Sequence, residues 1–410
     1  MLKKNIIFIG YTVGGALWRF FVALFDFRTW KRKLLGQAIV DAVFITNMRD
    51  ETDRRRFLGL WRPICGHFNG PRYRINGVLG RTRALNITTN DLADSKGRIK
   101  AKELIISATR WADNNGVRAV LLAASLKHIF GNGGMKLKEI FPNIVFTIGD
   151  NGTFFLLKEE TFRALKKAGI KSEQSRIAVL GPYGILGEMM TGFLVNAGYN
   201  VIGAGPKEKA LIRVARKYKI TTAKTFNEIG KVDAVVACTH NGEISLTAWH
   251  VSDKNPDSIR KINRRLLVVD VAEPSNFNKE EYLKCKDLVI RQDAGNAHST
   301  KLKYVLGVIS YRMFRLTRGV TFGCFAETLA LAENLKKFSG GALEKVNHFQ
   351  INEENMKIVQ SLFEGSGFHI PSPRSHGKRV KSFDLEITND VKMKRMHWKS
   401  ALNATRSIFF

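Results

Sequence analysis

The sequence has few cysteines and few acidic residues for its 410 residues. Its four cysteines stand far apart with no CxxC pair, which argues against a disulfide scaffold or a zinc site and suits a reducing cytoplasm. Only 36 Asp and Glu residues oppose 66 Lys and Arg residues, a formal net charge of +30. Such a surface attracts nucleic acid, an anionic membrane leaflet or a strongly acidic protein, and charge alone does not choose among them.

The sequence also lacks a long apolar run. The apolar stretch at residues 6–18 is too short to span a bilayer, and Arg19 and Asp26 interrupt its continuation. No clear small-residue cleavage site follows, as a signal peptide would require. We predict a strand at residues 5–9, then a turn and a helix from about Ala16, with a membrane-surface helix as the alternative. A cytoplasmic protein is expected, with peripheral membrane attachment as a second option.

Short apolar segments alternate with helical patterns after residue 170. Hydrophobic residues make up 44% of the chain, which predicts a packed fold. The strand-like segments are residues 177–180, 201–204, 234–238, 266–271 and 288–290. This alternation is typical of a parallel sheet covered on both faces.

We therefore predict an α/β fold with four parts. Residues 171–300 form a Rossmann-like doubly wound parallel sheet domain, and residues 1–170 form an N-terminal α/β substrate domain. Residues 301–370 form a helical return segment that carries Cys324, and residues 371–410 form a loose basic tail.

A glycine-rich turn follows the first of these strands. The spacing is GxxGxxG, at Gly181, Gly184 and Gly187, and an apolar helical pattern continues to Gly198. Glycine lets the backbone approach a pyrophosphate closely, and the helix N-terminus supplies N–H groups and a positive dipole end. We predict that these three glycines bind a nicotinamide dinucleotide. A purely structural turn is the alternative.

The end of the next strand bears on which dinucleotide is bound. No Asp or Glu stands at residues 204–206, where an NAD-preferring enzyme usually places one for the ribose hydroxyl, and Lys207 and Lys209 follow. The two lysines could neutralise a 2′-phosphate, so we predict NADPH; the alternative is a solvated helix start. Thr239, with residues 240–241, ends a later strand and could line the nicotinamide pocket or form a plain loop.

Cys324 opens an apparent helix. A cysteine in the first turn of a helix feels the positive dipole end, which favours the thiolate, and Arg315 and Arg318 would act in the same direction. The thiolate could attack an activated acyl group; a buried structural cysteine is the alternative. His298 could donate a proton to a developing alkoxide or lie in a surface loop. Glu327 would oppose thiolate formation, so we assign it a structural role.

Several segments resemble, in the same order, those of the long-chain acyl-[acyl carrier protein] reductases, a family that forms fatty aldehydes. They are residues 8–12, residues 146–153, the glycine turn at residues 179–187, Asp270 with Pro274 and Asn276, and residues 323–327, GCFAE against the family's ACFAE. The resemblance covers most of residues 95–370, and the last segment is the distinctive one.

That resemblance implies an activity. Cys324 would be the acylated nucleophile, NADPH would deliver hydride, and Gly181, Gly184 and Gly187 would contact the cofactor. The substrate would be an acyl thioester on coenzyme A or on an acidic acyl carrier protein, which a basic surface attracts. The same charge suits an anionic membrane surface.

The sequence departs from the family at three places. Residues 204–206 read Ala-Gly-Pro where the family commonly has Ala-Arg-Asn, so the expected phosphate-binding arginine is missing. A Gly-Gly segment before Glu-His is reduced to residues 294–298, and the first 90 residues are longer and more basic.

Two other interpretations stay open. A dehydrogenase similar to those acting on shikimate or amino acids would need no thiol. A non-catalytic nucleotide-sensing or nucleic-acid-binding protein would explain the charge, although the sequence lacks the aromatic-interleaved basic motif that RNA-binding sheets use.

Overall fold

The computed structural model describes residues 2–61, 64–130, 134–239, 244–304, 316–338, 342–344 and 346–387. The chain divides into two compact units. The first unit contains residues 1–156 and 296–371, and the second contains residues 157–295 and 372–410. The return segment at residues 301–370 thus belongs with the N-terminal part of the chain, and the first boundary lies at residue 156.

Eleven helices and sixteen strands are described, numbered here in chain order. The helices α1 to α11 are Leu2–Leu24, Phe27–Leu34, Glu51–Leu58, Ser95–Asp113, Met135–Ile140, Asp150–Lys167, Ile185–Asn196, Glu208–Tyr218, Lys279–Lys284, Gly323–Lys337 and Glu353–Ser366. The strands β1 to β16 are Ala42–Met48, His67–Ile75, Val78–Thr88, Ala119–Leu122, Val145–Thr147, Arg176–Leu180, Asn200–Ala204, Thr221–Ala223, Ala234–Ala237, Leu266–Asp270, Val289–Asp293, Asn296–His298, Lys303–Tyr304, Val320–Phe322, Arg374–Ser375 and Lys378–Arg379.

The first unit contains a mixed six-stranded sheet in the order β13-β2-β3-β1-β4-β5. Strands β3, β1, β4 and β5 are parallel, whereas β2 pairs antiparallel with β3 and β13 antiparallel with β2. Alternate side chains of these strands face opposite sides, as the pleat of a strand dictates. Helix α4 covers one face through Ile105 and Ala108. Helix α10 packs on the other, where the rings of Phe44 and Phe325 stack with centroids 4.3 Å apart.

The turn between β2 and β3 is the Asn-Gly hairpin that its sequence favours. Asn76 and Gly77 have φ values of 46° and 82°. A two-residue hairpin turn with both central residues at positive φ matches the twist of its strands, and Asn followed by Gly adopts it most readily.

The second unit contains a six-stranded sheet in the order β8-β7-β6-β9-β10-β11. All five neighbouring pairs are parallel. Counted from β6, the order is 3-2-1-4-5-6, the arrangement of doubly wound dinucleotide-binding sheets. The central strands β9 and β10 are buried along their whole length. The predicted α/β fold with a Rossmann-like sheet is therefore confirmed.

The predicted N-terminal strand is wrong. Residues 2–24 form the continuous helix α1, because their apolar residues recur every three or four positions, the period of a helix rather than of a strand. Within the described residues, no helix combines the length and apolar character that crossing a membrane requires.

The C-terminal part also differs from its description as a loose tail. Over residues 372–387 the chain packs on the second unit, with Phe383 and Leu385 buried and a short β15–β16 hairpin. The buried side chains of Phe383 and Leu385 hold this segment against the unit. Its Pro, Gly and Lys content led to the prediction of a loose tail. Residues 388–410 lie outside the described part of the chain.

Candidate active site

Strand β14 leads directly into helix α10, and Cys324 is the second residue of that helix. The backbone of Gly149, which follows β5, lies against Cys324: a Cβ atom added to Gly149 would lie 2.2 Å from the Cβ atom of Cys324. The same added atom would lie 3.0 Å from Leu121 of β4. Cys324 therefore sits at the carboxyl ends of β4 and β5, the edge of a parallel sheet where ligands collect.

A partly buried ion pair acts on the thiol. Lys127, in the 3₁₀ turn that follows β4, donates to the carboxylate of Asp150, the first residue of α6. Burial lowers the pKa of Lys127, but the charges of Asp150 and of Cys324 outweigh it, so the net direction is upward. Lys127 is therefore a charged ammonium group that acts on the sulfur of Cys324.

Glu327 lies one turn after Cys324 on α10 and is fully buried. Its carboxylate accepts hydrogen bonds from the hydroxyl of Thr147, at 2.5 Å, and from the backbone N–H of Gly152, at 2.6 Å. Burial outweighs these bonds and raises the pKa of Glu327 to about 7. The carboxyl group therefore changes its charge near neutral pH.

The expectation that Cys324 is a thiolate is wrong. Burial raises the pKa of Cys324 to about 12; the Lys127 ammonium opposes this shift, and Asp150 and Glu327 add to it. The dipole of a helix end lowers the pKa of a thiol by less than desolvation raises it when the sulfur is densely surrounded. Cys324 nevertheless keeps partial solvent access. Arg318 is exposed, and Arg315 lies outside the described residues.

His298 lies on β12, which pairs antiparallel with the β14 strand that precedes Cys324. Its backbone forms a bridge with His369, and its Nδ1 atom lies 2.9 Å from Nε2 of the same partner. This strand pairing places His298 in the same unit as Cys324, beside a second imidazole that sequence reasoning did not predict.

The glycine turn of the second unit is tightly built. Gly181 has a φ of 73°, and a Cβ atom at Gly187 would lie 2.1 Å from the carbonyl oxygen of Gly181. Helix α7 begins at Ile185 with Gly184 as its N-cap and with no side-chain capping bond. The first-turn N–H groups thus have no capping side chain, which fits the cradle that a pyrophosphate uses. Binding of a dinucleotide pyrophosphate by Gly181, Gly184 and Gly187 stays a prediction.

The predicted residues around this turn lie at the carboxyl ends of their strands. Thr239 follows β9, and its Cα atom would lie 3.2 Å from a Cβ atom added to Gly181. The amide of Asn276 donates to the Thr239 hydroxyl at 2.7 Å, so Asn276 fixes that hydroxyl at the turn. Residues 240–241 lie outside the described part.

The two lysines predicted to select NADPH are exposed and follow β7. The ammonium of Lys207 lies 5.5 Å from the centre of the Tyr183 ring, and Tyr183 belongs to the glycine turn. Lys209 lies in the first turn of α8. Only Lys207 is therefore shown in contact with the turn; the preference for NADPH stays a prediction.

Sequence reasoning missed Lys127. It stands five residues after the end of β4, and a charged residue after a buried parallel strand is a signal for the ligand-binding edge of a sheet. Its pairing with Asp150 was not visible, because the two residues come from consecutive strand ends that only the folded sheet brings together.

Comparisons with known proteins give no family. No family model and no curated protein match this chain. Solved structures with some likeness include L-tryptophan dehydrogenase from Nostoc punctiforme, with 12% identity, a TM-score of 0.36 and coverage of 80% of each chain. Glutamyl-tRNA reductase from Methanopyrus kandleri has 17% identity and a TM-score of 0.27, covering 67% of this chain and 57% of its own.

Proposed function

We propose that this chain is an NADPH-dependent oxidoreductase that reduces a long-chain acyl thioester to a fatty aldehyde through an acyl group on Cys324. The observation that carries the proposal is the placement of this cysteine: a partly accessible thiol at the start of a helix, at the ligand-binding edge of a parallel sheet, under the charge of Lys127. The resemblance of residues 323–327 to the aldehyde-forming reductases supports the same chemistry.

Three residues of the first unit have separate roles in the proposed acylation step. The Cys324 sulfur bonds to the acyl carbon, and the carrier thiol leaves with a proton. Glu327, three residues further along the same helix, has a pKa near neutral pH and suits the role of proton acceptor for the thiol. Lys127 stabilises the negative charge that develops on sulfur and on the acyl oxygen.

The second unit holds the reductant in this proposal. Gly181, Gly184 and Gly187 would bind the pyrophosphate, and Thr239 would approach the nicotinamide half. A bound reduced nicotinamide supplies the hydride that converts the acyl group to an aldehyde. The Cys324 thiolate then leaves and takes up a proton, which restores the thiol.

The test is intact mass spectrometry after mixing the protein with a long-chain acyl thioester, with and without NADPH. We expect an added acyl mass on the wild-type protein, loss of that mass when NADPH is added, and no adduct on Cys324→Ala. Cys65→Ala is the matched control, because Cys65 is also a partly exposed thiol of the first unit. Aldehyde formation by Cys324→Ala at the wild-type rate would refute the assignment of Cys324 as the nucleophile.

The Lys127–Asp150 pair favours a second candidate function, a dehydrogenase that acts on a small polar substrate. A charged lysine at a sheet edge can bind a carboxylate and donate a proton to a carbonyl oxygen without any thiol. In that case Cys324→Ala would keep its activity and Lys127→Met would lose it, whereas the thiol-dependent mechanism predicts a loss of activity in both variants.

A further inference from the structure

Helix α1 exposes a continuous apolar face. Six large apolar side chains of this helix are each between 45% and 60% exposed. They are Ile9, Val13, Leu17, Phe20, Phe21 and Leu24. Five of the six are spaced three or four residues apart, with Phe21 adjoining them, so they lie along one side of the helix. Soluble proteins rarely leave so many large apolar side chains together in water.

The other side of α1 is anchored to its own unit. A Cβ atom at Gly15 would lie 2.4 Å from the carbonyl oxygen of Arg56 in α3. One at Gly59, just after α3, would lie 2.1 Å from the carbonyl oxygen of Thr12. The two backbones thus touch, which only glycine permits. The side of α1 that carries Thr12 and Gly15 therefore packs on the first unit, and the apolar face points away from that side.

Helix α2 extends this surface. Phe27, Trp30 and Leu34 are exposed, Leu34 at 86%, and their spacing places them on one side of the short helix. The start of α2 is fixed by Asp26, which accepts from the N–H of Thr29 and pairs with the buried Arg72 and Arg81 of the first sheet. We call the nine exposed side chains of α1 and α2 the apolar face.

Cations border the apolar face. Lys31 and Lys33 are exposed in the last turn of α2. Residues 1–35 contain seven Lys and Arg residues but a single acidic residue, Asp26, which is buried. An amphipathic helix with aromatic and aliphatic residues on one side and lysine beside them is typical of binding in the headgroup region of a bilayer.

We propose that the apolar face docks on an anionic lipid bilayer, with α1 and α2 lying in the plane of the headgroups. The net charge of +30 disfavours a second copy of the chain as the occupant, because the two copies repel each other. An acidic protein would match the charge, but the α1 side chains of this face carry no hydrogen-bonding group, whereas protein interfaces surround their core with polar residues. This inference does not depend on the proposed activity.

The experiment is flotation of the full chain with lipid vesicles. One set contains phosphatidylcholine alone, and the other contains about one third phosphatidylserine. We expect binding to the anionic vesicles, weakened by salt, and a loss of about tenfold or more in Leu17→Glu/Phe20→Glu. Leu34→Glu changes a side chain that is almost wholly in water, so this variant should fold like the wild-type protein. It should also bind anionic vesicles more weakly than wild type does.

The matched control is Ile99→Glu/Ile140→Glu. It makes the same change in charge at two exposed isoleucines of α4 and α5, helices that do not belong to the apolar face. We expect this variant to bind vesicles nearly as wild type does. An equal loss in both double variants would mean attraction by charge alone and would overturn the proposal. So would a wild-type chain that ignores anionic vesicles, or one that forms dimers which Leu17→Glu/Phe20→Glu dissociates.

Discussion

Glu327 is the residue whose ionisation most directly couples the site to the stability of the first unit. It is fully buried, and its pKa is raised from 4.5 to about 7. Between these two values the folded protein keeps a proton on Glu327 that the unfolded chain has lost. The free energy of unfolding therefore falls as pH rises through this window and levels off above it.

Replacing this residue should remove that pH dependence. At 1.4 kcal/mol per pH unit, the raised pKa predicts a decline of up to about 3 kcal/mol in the wild-type protein between pH 4.5 and 7. In Glu327→Gln the amide still accepts from Gly152, and the decline should largely vanish. Urea denaturation at several pH values measures the free energy of unfolding of the wild-type protein and of Glu327→Gln. Glu333→Gln, six residues further along the same helix, is the control. Parallel profiles for wild type and Glu327→Gln would contradict the buried-acid interpretation.

Gly149 fixes the backbone that faces the thiol. It has a φ of 69°, and an added Cβ would lie 2.2 Å from that of Cys324. Gly149→Ala should destabilise the protein by about 3 kcal/mol, since it combines the left-handed strain with a clash. Gly169→Ala separates the two effects: Gly169 has a φ of 65° but open space around it, so about 1 kcal/mol is expected. Thermal melts measure the loss of stability in both variants. Equal losses in the two variants would show that the clash at Gly149 does not contribute.

At the scale of the elements, the turn from β6 to α7 carries the nucleotide prediction. In Gly187→Ala the new methyl group would meet the carbonyl oxygen of Gly181 at 2.1 Å and force the turn open. Titration with NADPH, followed by its fluorescence, should show binding weakened by about tenfold or more. Gly365→Ala serves as the control, because nothing lies within 4 Å of that position on α11. Unchanged NADPH affinity in Gly187→Ala would place the cofactor elsewhere.

The second unit could be predicted from sequence almost strand by strand. Its parallel strands alternate with helices along the chain, so apolar runs and their turn signals are local. The assembly of the first unit could not be predicted in this way, because β13 pairs with β2 and α10 covers β1, elements more than two hundred residues apart. Helix α1 was missed for another reason: a short apolar run at residues 5–9 has no periodicity of its own until the whole segment is considered.

The candidate site was predicted only where a motif marks it. The glycine turn and Cys324 each stand in a recognisable local pattern. The Lys127–Asp150 pair does not, and its effect on Cys324 joins residues that are nearly two hundred positions apart. The direction of the Cys324 pKa was predicted wrongly because a sequence shows the helix start but not the burial that outweighs it.

At the scale of the whole molecule, the first unit depends on two separated parts of the chain. Its core joins Phe44, Tyr73 and Leu121 to Phe325 and Leu329, which come from residues 296–371. A fragment of residues 1–156 should therefore lack a cooperative thermal transition and bind a hydrophobic dye, whereas the full chain melts cooperatively. Circular dichroism decides this, and a sharp transition in the fragment would show that α10 is dispensable for the fold.

That division has a consequence for biosynthesis. At about 5–20 residues per second, roughly ten to forty seconds pass between the emergence of residue 156 from the ribosome and that of residue 371. During this interval the aromatic rings of Phe44 and Tyr73 have no partner helix to cover them. The nascent chain thus presents an uncovered apolar sheet face while later segments are still being translated, and a chaperone that shields such a surface would raise the yield of folded protein.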